Sequence, residues 1–213
     1  MSSKDLLESV KKLREITGVG FKDCKLAIDE NGGDIEKSIE FLRKKGIAKA
    51  TSKMNRTAAE GLCLLHEQNG EVSLIEINSE TDFVAKNEAF ISFCKEVSKV
   101  NFENKSDLSK LNKANMKNNL SVEINLIDLI AKMGEKITLR RSIFFDNSNG
   151  KNFFYIHGAI EDKIGKIISI VKCSKETDIG KKVAMHISAL SPLAIEEKEL
   201  NKNVTNKEIE IIK

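Results

Sequence analysis

The sequence predicts an α+β protein: an N-terminal three-helix bundle followed by a duplicated core, in which an antiparallel hairpin plus a helix occurs twice. Three observations carry this. Apolar residues recur at helical spacing through the first 46 positions, with glycines at two breaks. Beyond residue 60 the period changes to two, around an Asn69-Gly70 turn signal. The order strand, turn, strand, corner, helix then appears twice, and Glu80-Thr81-Asp82 returns as Glu176-Thr177-Asp178. The expected units are a bundle over 1–46, a basic linker over 47–60, a first repeat with a helical connector over 61–141, and a second repeat with a tail over 142–213.

In the bundle, Leu6, Leu7, Val10 and Leu13 mark a first helix, which Gly18 and Gly20 end. Phe21, Cys24, Leu26, Ala27 and Ile28 mark a second, closed by "NGG". Asp34 is placed to cap a third, with Ile35, Ile39 and Leu42 on its buried side. A bundle this small has a thin core and suits binding better than catalysis. Its "GVGF" loop before a helix resembles the ubiquitin-associated three-helix fold, and Phe21 there is either a plug of the bundle or a contact residue. Lys49, Lys53 and Arg56 lie in the following segment, which reads as a solvated tether.

"GLCLLHEQNGEVSLIEIN" reads as a hairpin. Asn87 then caps a helix with Phe90, Phe93 and Val97 on one face. "NFENKSDLSKLNKANMKNN" is polar and reads as poorly packed. Ile124, Leu126, Ile127, Leu129 and Ile130 have helical spacing, Gly134 stops that helix, and a strand runs from Ile137 to Phe145. The second copy has a strand, a turn at Gly165, a second strand and a helix. The copies differ after the tripeptide, where Phe83-Val84 stands against Ile179-Gly180. An aromatic at this corner of one copy only is what a single contact surface needs.

Composition narrows the function. Charged residues are 31% and the net charge is only +3, which argues against a dedicated nucleic-acid binder. There is no tryptophan to build a stacking platform for single strands. Cys24, Cys63, Cys94 and Cys173 form no C-x-x-C and read as reduced thiols. No run reaches the roughly 18 apolar residues of a membrane helix, and the first residues lack a signal peptide's apolar segment. A cytoplasmic protein with no membrane and no direct nucleic-acid partner is expected. There is no phosphate loop, no G-x-G-x-x-G after a strand and no H-E-x-x-H. His66, His157 and His186 have no Cys, Asp or Glu at metal-ligand spacing. No catalytic residue, metal or cofactor is therefore expected. His157, in the second repeat, stands out as a contact residue.

Two stretches carry a wider resemblance. "EINSETDFVAKN" and "LREITGVGFKDCKLAI" are similar to the motifs of the elongation factor Ts family, guanine-nucleotide exchange factors of elongation factor Tu. The second departs from the family only where "KLAI" replaces the more typical "KKAL". "MGEKITLRR", "YIHG" and "AMHISALSP" also look like family stretches. The resemblance implies that Thr81, Asp82, Phe83 and Val84 insert beside the partner's nucleotide site and disturb its magnesium ion and phosphate-binding elements. It implies that Arg14, Phe21 and Lys22 touch the partner's nucleotide-binding domain, and that the second repeat with His157 leans on another domain. It implies exchange by binding, without covalent chemistry. Longer family members continue past residue 213, and some short ones pair with themselves, so a homodimer is an expectation as well. The alternative is a ubiquitin-associated-like protein-binding module on an α+β scaffold; an RNA-binding accessory protein comes third.

Overall fold

The computed structural model describes residues 3–212; positions 1, 2 and 213 of the outer expected units lie outside the described residues. The bundle consists of α1 (Ser3–Thr17), α2 (Phe21–Glu30) and α3 (Ile35–Lys53). Val10, Leu13, Val19, Cys24, Ala27, Ile28 and Leu42 form its core. Asp34 caps α3 by accepting from the Lys37 amide at 3.0 Å. Ser38, fully buried, donates to the Ala27 carbonyl at 3.0 Å and so ties α3 to α2.

One linker expectation is corrected here. Residues 47–53 continue α3, which packs against α7 (Val122–Met133). The remainder is pinned too: the Lys136 ammonium donates to the carbonyls of Met54 (2.6 Å) and Arg56 (2.9 Å). The Lys49 side chain lies outside the described residues.

β1 (Glu60–Gln68) and β2 (Glu71–Ser79) form the expected hairpin. Asn69 and Gly70 both have positive φ, 53° and 79°, as a type I′ turn demands. The one-turn helix α4 (Asp82–Ala85) and the long α5 (Glu88–Glu103) follow. Asn87 caps α5 through the Ala89 amide at 2.9 Å. The polar connector is better packed than its composition predicts. It contains α6 (Leu108–Lys113), whose Leu111 is fully buried, and Met116 is 6% exposed. Two buried residues in a polar stretch carry too little periodicity to be seen, yet both join the main core cluster. α7 ends at Gly134, left-handed at φ 75°, and β3 (Ile137–Phe145) follows within the predicted bounds. β3 pairs antiparallel with β2, so the expected boundary at 141/142 cuts through a strand.

β4 (Lys151–His157), β5 (Ile164–Gly165), β6 (Ile167–Cys173) and α8 (Ile179–Leu190) make the second copy, and α9 (Lys202–Ile212) ends the described chain. Gly165 is not the turn. It lies in β5 opposite Cys63 of β1, while β4 pairs directly with β6. The sheets are β3-β2-β1-β5 and β4-β6.

Alternation along the strands stacks the layers. Leu62, Leu64, Ile75 and Ile77 face α5 and α7, whereas Cys63, Leu65, Val72 and Leu74 face Phe154, Ile156, Ile168 and Ile170 of the second sheet. The other face of the second sheet carries α8, with Ser169 bonded to Ser188 at 2.7 Å. The result is helix, sheet, sheet, helix, with α4 at the rim of the first layer. The four cysteines are free thiols: Cys24 and Cys94 are buried, Cys63 and Cys173 half-buried. Burial pushes the Cys63 thiol up to about 11. No described helix is long and apolar enough to cross a membrane.

Candidate functional site

The corner after β2 is built by a handful of polar contacts. Ser79 Oγ donates to the Thr81 carbonyl at 2.9 Å. The Glu80 carboxylate accepts from the Lys136 amide at 2.5 Å and faces Arg56 at 3.4 Å. The Lys136 amide, foremost, and Arg56 hold the Glu80 carboxyl below the usual range. Glu135 binds Thr81 with both oxygens: the Thr81 amide donates at 3.0 Å and its hydroxyl at 2.7 Å. Two acidic residues thus cross-brace the corner to the 134–136 loop, Glu80 reaching forward and Glu135 reaching back.

Val84 is 7% exposed and joins the core cluster with Phe90 and Val97. That corrects its reading as a contact residue: its side chain anchors the turn from inside. Phe83, one step earlier on α4, is 81% exposed. Phe83 therefore does not seal its own helix's apolar face. Asp82 pairs with Lys86 at 2.6 Å, and that bond depresses its carboxyl. The site thus consists of one bare aromatic ring beside a compensated ion pair, on a turn anchored from beneath.

The second copy repeats the logic of the turn. Ile179, in the place of Phe83, is 61% exposed, and Gly180, in the place of Val84, is buried. A Cβ on Gly180 would lie 2.4 Å from the Phe153 ring, so only glycine fits. Among the described residues this copy shows no such brace: Thr177 Oγ1, one residue ahead of the N-cap Asp178, accepts from the Ile179 amide at 3.2 Å, while Glu176 bonds Lys151 at 2.5 Å.

The remaining predicted residues lie elsewhere. Arg14 and Lys22 are exposed, and Phe21, 43% exposed, begins α2. Val19, 9% exposed, is the residue that plugs the bundle. His157 is exposed at the end of β4, its ring 6.4 Å from that of Tyr155. No described hydrogen bond, ion pair or ring contact joins these groups to the Phe83 corner. Among the described residues no three His, Cys, Asp or Glu gather to hold a metal ion. Sequence reasoning missed Glu135 as a site residue. "MGEK" shows only a helix stop followed by charge, and its partner Thr81 is 54 residues away.

The family described as Elongation factor TS matches residues 80–213, beginning at this corner. The elongation factor Ts of Methylorubrum populi is 39% identical over 211 residues, covering 96% of this chain and 69% of the relative. Those of Rhizobium leguminosarum bv. trifolii and Sinorhizobium medicae are 42% and 41% identical over 206 residues, covering 93% of this chain and 67% of each relative. The chain belongs to the elongation factor Ts family. Its role is accordingly that of a translation elongation factor. Within this chain the family match takes in both tripeptide corners, and the alignments to the relatives take in the bundle.

Proposed function

We propose that the protein is a guanine-nucleotide exchange factor for elongation factor Tu, acting by binding and without covalent chemistry. The observation that carries this reading is Phe83, an aromatic ring 81% exposed on a turn that Val84 and Glu135 hold in place. A partner that covered such a ring would gain the free energy of burying it. The proposed contact set is Thr81, Asp82 and Phe83, with Val84 as the anchor beneath. Arg14, Phe21 and Lys22 on the bundle and His157 on the second copy hold the partner.

A GTPase keeps its nucleotide through phosphate contacts and a bridging magnesium ion. A wedge that occupies the same bistable region competes with both. Loosening nucleotide ten-thousandfold takes about 5.5 kcal/mol. Burying one phenylalanine contributes about 1.5–3 kcal/mol. Phe83 alone falls short, so the bundle and the second copy supply the remaining binding energy. The test is release of labelled GDP from elongation factor Tu with and without the protein. Marked acceleration is expected; unchanged release refutes the reading.

One observation favours a second reading, a ubiquitin-associated-like binding module: the α1–α2 loop ends in the half-exposed Phe21. Ubiquitin titrated into labelled protein would then shift residues 18–21 in NMR spectra, and unmoved signals dismiss it.

A further inference from the structure

We propose that Glu135 is a positioning residue for exchange, a role that rests on the exchange activity proposed above. α4 has four residues, too few to hold a helical turn unaided. Thr81 stands at its N-cap, where a threonine hydroxyl ordinarily accepts from the first amides of the helix. Here the hydroxyl makes no such bond and instead donates to Glu135, as the Thr81 amide does. The second copy shows the alternative: Thr177 Oγ1 accepts from the first amide of its own helix, whose N-cap is Asp178, and among the described residues no acidic side chain is bonded to it. In the first copy the hydroxyl is committed instead to a loop 54 residues on in the chain.

That loop is itself fixed on three sides. Gly134 closes α7, the Lys136 amide holds Glu80, and the Lys136 ammonium holds the carbonyls of Met54 and Arg56 behind α3. Glu135 therefore sets the direction in which Phe83 points, relative to the helix that carries the bundle and the strand that carries the sheet. A charged acceptor with both oxygens engaged defines the rotation of the turn as well as its distance. A loosened wedge would still bind its partner through the bundle, but would reach the distorting geometry less often. The deficit belongs in the maximal rate more than in affinity.

The experiment measures GDP release from elongation factor Tu over a range of protein concentration. It compares wild type, Glu135→Ala, Glu135→Gln, Phe83→Ala and the double variant Phe83→Ala/Glu135→Ala. The expected result for Glu135→Ala is a maximal rate lowered about tenfold, with the half-saturating concentration changed less than about threefold. Glu135→Gln, which keeps one acceptor oxygen, falls between. In the double variant, Glu135→Ala adds less than about twofold to the Phe83→Ala defect, because it acts through that ring. Hydrogen exchange at the Thr81 amide should be slow in wild type and fast in Glu135→Ala. Effects that multiply in the double variant, or a loss confined to affinity, overturn the proposal. If Glu135→Ala does not fold, Glu135→Gln is read through the same cycle. A wild-type protein that leaves GDP release unchanged sinks the exchange reading itself, a result distinct from multiplying defects in an active protein.

Discussion

Phe83 and Val84 divide one turn between them, the first outward and the second inward. Truncating them has opposite consequences. Phe83→Ala removes a ring that touches solvent, so thermal unfolding should be nearly unchanged while stimulated GDP release slows at least about tenfold, about 1.4 kcal/mol of lost interaction. Val84→Ala removes buried methyl groups and should lower stability by about 1–3 kcal/mol in denaturant titrations. A Phe83→Ala variant that unfolds would mean that the ring supports the core. Burial opposes the charge of the Glu76 carboxylate, upstream on β2, but Arg141 and Arg140 outweigh that and keep its pKa low. A bulge between Glu76 and Ile77 brings both arginines to it, at 2.5 and 2.8 Å.

At the scale of elements, α6 shows how a short polar helix earns its place. Asp107 accepts from the Ser109 hydroxyl at 2.7 Å and from the Ser109 and Lys110 amides at 3.0 and 3.2 Å. Ser109, foremost, with Lys110 holds the Asp107 carboxyl down at about 2, against an ordinary 3.8. A pKa depressed by folding stabilises above the unfolded value and is lost as pH falls through the folded one. Asp107→Ala should therefore lower the urea midpoint at neutral pH, with the gap to wild type closing between about 3.8 and about 2. A gap that persists at the acid end would show that the cap works by shape and not by charge. Beneath the cap, Leu111 is fully enclosed, and Leu111→Ala should cost about 2–5 kcal/mol.

At the scale of the whole molecule, two hairpin-and-helix copies pack sheet to sheet, and the bundle rides on α7 through α3. The proposed contacts are thus held on one scaffold, and the binding energy of one group can drive distortion at another. Thermodynamic linkage makes that coupling reciprocal. If the protein loosens GDP on elongation factor Tu by some factor, saturating GDP must weaken the protein's own affinity for that partner by the same factor. Calorimetric titrations with and without GDP measure it, and an affinity for the partner that GDP leaves unchanged would mean that the protein does not loosen the nucleotide.

The sequence by itself determined much of this. Period-two alternation on either side of Asn69-Gly70 sets the first hairpin, and the apolar spacing ahead of Gly134 sets α7, because strand pleat and helical turn each demand one pattern from neighbouring residues. The repeated tripeptide and the motif around Phe83 pointed to the corner. Leu111 and Met116 were illegible in a polar connector, Gly165 looked like a turn, and the tether continued as helix, since each depends on what lies across the core and not on its own neighbours. Only the tertiary structure decided which of Phe83 and Val84 faces solvent, and only it joined Glu135 to Thr81. Local pattern records periodicity; a bond that ties a four-residue turn to a loop more than fifty residues on leaves no mark in it.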